Sequence, residues 1–168
     1  MSDTDLMEQP AQAQAEPVEL DYDTAVAQLR ARQNFALAIP AGLAAAVLGA
    51  VLWAGFVYVT NYELGLIAVA VGALVGFAVR KAGQGVDPKF GVLGAVCAAF
   101  GWALGTLLVV VAMVSKAADV SMLDVVGRLG LGGCISAAIE NGDAMELLFL
   151  GIAVYEGWKF AFKHRLGA

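Results

Sequence analysis

The sequence predicts an all-α membrane protein, a four-transmembrane-helix bundle with short amphipathic helices in its third connection. Three observations predict it. Hydrophobic residues make up 60% of the 168-residue chain and charged residues 15%, with a mean hydropathy of +0.76, whereas a soluble domain is about 45–50% apolar and about 25% charged. Apolar runs recur between polar turns, each near the roughly 20 residues that a helix needs to cross a hydrocarbon core of about 30 Å. Basic residues gather on alternate connections, the pattern that orients membrane helices.

Composition excludes several functions. The net charge of −5 comes mostly from the first 23 residues, which hold seven acids and no base and leave eight acids against ten bases beyond them. Nucleic-acid binding needs a clustered basic face, which this distribution does not provide. The two cysteines, Cys97 and Cys134, form no CxxC, and His164 is the sole histidine, so the roughly four N/S ligands of a structural zinc are not at hand. Cys97 falls inside an apolar helix and reads as a small buried residue. Cys134 falls on the side expected to face an oxidising compartment, which leaves an intermolecular disulfide open there. No metal or cofactor is expected.

Residues 1–20 are rich in Gln, Ala, Glu and Pro and carry no aromatic residue. They have too little apolar surface to offset the entropy of ordering, and read as a disordered acidic tail. The acidity and length argue against a secretory signal. A juxtamembrane helix over 21–34 starts at Asp21 or Asp23, either of which suits a helix start. Arg30 and Arg32 close it just before the membrane, where they flank the span or hold lipid head groups.

The transmembrane domain covers 35–163, with spans at about 35–58, 64–80, 89–115 and 144–162. The first has no charge, and Pro40 lies close to its start, where a missing N–H costs little. Gly42, Ala46, Gly49 and Trp53 fall near one stripe for close helix approach. Thr60-Asn61-Tyr62-Glu63 is a tight turn bracketed by Tyr58 and Tyr62, as at a membrane–water boundary. The second span is short, and Arg80 extends it by snorkelling. Gly65, Gly72 and Gly76 include one GxxxG, read as packing within the chain more than dimerisation.

In the loop RKAGQGVDPK, Gly83 suits a left-handed helix end. Asp87 suits the cap of the third helix and Pro88 its first position. The Gly-x-Gly is no phosphate loop, because no strand precedes it and no GK[ST] follows. The third span carries Gly91, Gly94, Gly101 and Gly105 as further packing positions. Trp102, mid-span, fills the bundle, and Lys116 marks the exit from the membrane.

Residues 116–143 form the longest non-spanning connection, expected to carry one or two short helices on the outer membrane face. Ser121-Met-Leu-Asp124 is a loose capping box, and Gly127, Gly130, Gly132 and Gly133 interrupt any continuous helix. Asp143-Ala-Met-Glu146 starts the last span with acids at the positive helix end.

Eight bases (Arg30, Arg32, Arg80, Lys81, Lys89, Lys159, Lys163 and Arg165) fall on one side of a four-span topology, and Lys116 and Arg128 on the other. Both termini and the 80–89 loop are therefore expected in the cytoplasm, and 116–143 in the periplasm.

Chemistry has few candidates. Intramembrane ionisable groups are the default functional hypothesis in such proteins. Glu156 alone qualifies, three residues from Lys159 on one helical face. The pair reads either as ion-coupled or as an interfacial anchor beside Tyr155 and Trp158. Asp119, Asp124, Glu140 and Asp143 lack the spacing of a calcium loop. Ser115, Ser121 and Ser136 have no histidine on their side of the topology, so no enzyme is expected.

The N-Y-E-L-G-x-I-A turn, the G-A-L-V-G-F-A-V-R run, the G-x-G-x-D-P-x-F-G loop and the closing L-F-L-G-I-A-V-Y-E-G-W-K-F resemble small multispanning bacterial inner-membrane proteins of uncharacterised function. The resemblance covers about half the chain. It implies a bacterial cytoplasmic membrane and transfers no functional residue. The leading expectation is a non-enzymatic accessory or scaffold subunit acting through protein or lipid contacts, with the bilayer and a protein partner or second copy as its company. The alternative is a small oligomeric channel or transporter with Glu156 as its ionisable group.

Overall fold

The computed structural model describes residues 22–62, 66–140 and 144–161. The expected acidic tail, the capping roles of Asp21 and Asp143, and the positions of Gly65, Lys163 and Arg165 lie outside the described residues. Helix accounts for 91% of what is described, and no strand occurs there.

Six helices follow one another: α1 (Tyr22–Ala31), α2 (Phe35–Thr60), α3 (Leu66–Gly83), α4 (Pro88–Ala118), α5 (Met122–Glu140) and α6 (Ala144–Ala161). Three of them, α2, α3 and α4, are long and apolar enough to cross a membrane. The 18 residues of α6 include Glu146, Glu156 and Lys159, a charge content that sets it apart from the other three.

α1 and α2 are separate helices. Asn34 takes a non-helical conformation between them, at φ −125° and ψ 89°, and its side chain accepts a hydrogen bond from the Leu37 N–H, which satisfies one of the free donors at the start of α2. Pro40 therefore sits in the second turn of α2, not in the middle of one long kinked helix.

α3 and α4 touch each other and both touch α2 on one flank and α6 on the other; α2 and α6 do not meet among the described residues. The contacts fix the directions. Gly42 faces Val79 and Cys97, and Gly49 faces Val71, so α2 is antiparallel to α3 and parallel to α4. Gly72 faces Ala153 and Gly76 faces Gly157, so α6 runs with α3.

The core is built from small side chains. On α2 the buried positions are Ala38, Gly42, Ala45, Ala46, Gly49, Ala50, Trp53, Ala54 and Val57, the i, i+3, i+4 spacing of one helical face. The expected stripe of Gly42, Ala46, Gly49 and Trp53 is this face. Leu48, Leu52 and Val59 point outward and are exposed, which suits lipid. Trp53 packs over Gly105 and belongs to a buried cluster with Ala54, Val57, Ala68 and Val109, against which Trp102, Met113 and Phe149 pack.

α5 supplies the helix expected in the third connection. Ser121 caps it, accepting from the Asp124 N–H and donating to the Asp124 carboxylate. Gly130 breaks it at φ 64°, ψ 171°, a conformation that is essentially glycine-only. α5 lies against the side of α4, where Val125 and Cys134 pack on Val111, Leu107 and Val114. These α4 residues belong to the predicted span, so α5 leans on the bundle and does not extend away from it. The Cys134 thiol is buried there, and an intermolecular disulfide would need that contact to open.

Candidate functional site

Three places concentrate polar or close contacts: the end bearing α1, the seam around α6, and the flank between α4, α5 and α6.

At the α1 end, the 84–87 loop is clamped to the rest of the chain. The Asn34 N–H donates to the Gly83 carbonyl at 2.9 Å. The Arg30 guanidinium meets Asp87 at 3.1 Å, and the Lys89 ammonium meets the other carboxylate oxygen at 3.3 Å. Burial alone would raise the Asp87 pKa, but the Lys89 and Arg30 charges outweigh it and hold the carboxyl below its usual value. Asp87 occupies the cap position of α4 with Pro88 after it, as predicted, yet its side chain makes no capping hydrogen bond. Two charged partners hold it instead. Arg30 thus clamps Asp87 from an exposed position, and Arg32 and Lys81 are exposed as well.

Gly83 is not the left-handed residue. Gln84 takes φ 47° and its N–H closes α3 on the Arg80 carbonyl at 2.9 Å. Gly83 and Gly85 serve the fully buried Phe90 ring: an added Cβ at Gly83 would lie 2.5 Å from Phe90 Cε1, and one at Gly85 would fall within the ring's own space. The Gly-x-Gly makes room for this aromatic plug, which stacks edge-on against Phe35 at 5.3 Å between centroids.

The opposite end has its own cap. Lys116 donates to the Tyr58 carbonyl at 2.9 Å and to the Asn61 side chain at 2.7 Å. A cation there suits the negative end of α2. The residue expected only to mark the membrane exit closes a neighbouring helix.

The seam around α6 answers the GxxxG question. Gly72 and Gly76 press on the α6 backbone at Ala153 and Gly157, and Gly94 of α4 presses on Gly157 from the other side. The motif packs within the chain, as expected. Gly91, Gly101 and Gly105 are buried on α4 as well, the last two against α2.

Glu156 and Lys159 do not pair. Lys159 Nζ lies 5.7 Å from the centroids of both the Tyr155 and Phe160 rings, and no ion pair to Glu156 occurs among the described residues. The ammonium takes two cation–π contacts on its own helix in place of the carboxylate.

The flank holds a cleft of about 820 Å³ between α4, α5 and α6. Phe100, Trp102, Leu104, Leu107, Ile135 and Leu147 give it apolar walls, and Thr106 and Glu146 are its polar side chains. The Thr106 hydroxyl is buried without a hydrogen-bond partner. Nothing in the sequence pointed to this cleft, because it arises from the way α5 leans on α4 alone. Among the described residues no cluster of His, Cys, Asp or Glu could hold a metal.

No protein-family model matches the chain, and no curated protein and no solved structure matches it. The fold itself defines a class: an all-helical protein with three helices suited to a membrane, packed on small residues.

Proposed function

We propose that this chain is a non-enzymatic integral membrane protein, an accessory or scaffold subunit that works by contact in the bilayer and not by carrying solute through its own bundle. The observation that carries the reading is the closed seam. Helix backbones meet at Gly72, Gly76, Gly94 and Gly157, and the buried polar side chains among the described residues are Thr106 and Ser115 alone. A conduit needs a lined polar path, and helices packed this closely leave no room for one.

In this reading α6 is the fourth span, its charges lying near its two ends. Arg30, Arg80, Lys81, Lys89 and Lys159 share one end of the bundle. Their clustering supports a cytoplasmic α1 end, in a bacterial inner membrane, under the positive-inside rule. Crosslinking in native membranes, followed by identification of what is joined to the chain, tests the role. A defined partner or a second copy is expected. The reading fails if the purified chain in liposomes conducts ions and Glu156→Gln abolishes that flux. Impermeant thiol labelling of Lys81→Cys and Ala118→Cys tests orientation: only the latter should react from outside the cell.

A further inference from the structure

We propose that the acidic segment before α1, residues 1–21, is an intramolecular ligand of the basic end of the bundle, where it covers Arg32, Arg80 and Lys81 and screens them from anionic lipid heads. That end carries uncompensated charge. Arg30 and Lys89 share the single carboxylate of Asp87. Arg80 and Lys81 lie in the last turn of α3, and Arg32 directly follows α1. None of these three meets a carboxylate among the described residues. Five cations thus face one acid, and Arg32 and Lys81 are exposed.

Two arguments fix the occupant. The first is charge. Asp3, Asp5, Glu8, Glu16, Glu19 and Asp21 stand in this segment without a base among them, an excess opposite in sign to that of the end it adjoins. The second is the tether. The segment joins α1 at Tyr22, and α1 has 10 residues, about 15 Å along its axis. The far end of α1 is fastened to the basic end by Arg30 on Asp87 and, just beyond, by the Asn34 N–H on the Gly83 carbonyl. The attachment point is therefore only the length of α1 from the cations, whereas 21 residues reach up to about 70 Å. A tethered ligand acts at an effective concentration in the millimolar range. Exposed ion pairs are weak one at a time, but several carboxylates on one tether act together, while each anionic lipid head comes as a separate ligand.

The inference goes beyond the contact role above and holds whichever side of the membrane this end faces. The full chain is reconstituted into phosphatidylcholine nanodiscs and treated with a water-soluble carbodiimide, which joins a carboxylate to an amine in contact with it. Mass spectrometry of the digest should find links from residues 1–21 to Lys81 or Lys89. Their yield should fall about fivefold between 0.1 M and 1 M NaCl, as the screening length shrinks from about 10 Å to about 3 Å. A second chain carries Asp3→Asn, Asp5→Asn, Glu8→Gln, Glu16→Gln, Glu19→Gln and Asp21→Asn together, all before α1. In nanodiscs of phosphatidylcholine with phosphatidylglycerol it should retain about fivefold more phosphatidylglycerol than the wild type, the worth of roughly one lysine or arginine freed at a membrane surface. Helical circular dichroism verifies that this variant folds. Absence of the links at 0.1 M NaCl, or links that persist undiminished at 1 M, overturns the assignment. Equal phosphatidylglycerol retention by the two chains gives the cations to lipid heads and overturns it as well.

Discussion

Gly157 and Gly151 lie on the same helix and differ in what a methyl group would meet. At Gly157 an added Cβ would stand 2.7 Å from the Ala98 Cβ and 2.7 Å from the Gly94 carbonyl oxygen. Carbon atoms pack best at about 3.5–4.0 Å, so the contact is short by roughly an ångström. Alanine has no rotamer to turn and a carbonyl belongs to the backbone, so the strain is relieved only if α6 moves away from α4. That movement also disturbs the crossing with α3, where the Gly157 carbonyl already lies 2.8 Å from the Cβ position of Gly76. At Gly151 a Cβ would meet nothing within 4 Å.

Replacing glycine by alanine inside a helix gains about 1 kcal/mol, and overpacking costs about 1–3 kcal/mol. With backbone as the obstacle the cost falls in the upper part of that range. Gly157→Ala should therefore destabilise by about 1–2 kcal/mol, and Gly151→Ala should stabilise by up to about 1 kcal/mol. Equilibrium unfolding in mixed micelles, followed by fluorescence of Trp53, Trp102 and Trp158, measures both. The packing argument is wrong if Gly157→Ala is as stable as the wild type, or if the two variants shift together.

Further outcomes follow from other parts of the molecule. Asp87→Asn should release the α1 clamp with a stability loss within about 1 kcal/mol, the usual worth of an exposed pair, and speed proteolysis between α1 and α2. Because the folded Asp87 pKa is lowered, its contribution is complete above the unfolded carboxylate value of about 3.9. It fades as pH falls through the lower folded value. A clamp that weakens as pH rises from 5 to 8 contradicts this assignment. Gly130→Ala should cost about 1–3 kcal/mol from backbone strain, although open space surrounds the position; an unchanged melting profile would show that the break in α5 is dispensable. Cys134 should resist maleimide in native membranes and react on unfolding; rapid native labelling would mean that α5 does not rest on α4.

The helices were readable because each depends on its own residues. The charge-free run from Phe35 and the Pro88 start were visible without neighbours, as was the Ser121–Asp124 box. The readings that changed turn on a competing partner. Gly83 looked like a left-handed terminator, but the Phe90 ring claims the space and Gln84 takes the turn. Asp87 looked like a cap, but Arg30, 57 positions away, and Lys89 claim its carboxylate. Glu156 and Lys159 have pairing distance on a helical wheel, but two aromatic rings hold the lysine.

By itself the sequence determined that the chain is helical and suited to lipid, where its apolar runs lie, and which connections carry the positive charge. Hydropathy, turn residues and charge are local properties, and a bilayer reads them locally. The tertiary structure alone decided that α6 is gripped between α3 and α4 at Gly157, and that α5 lies back on α4 to leave the cleft at Glu146. Both depend on how closely distant backbones approach, and that distance is set by pairs of residues that no single stretch of sequence contains.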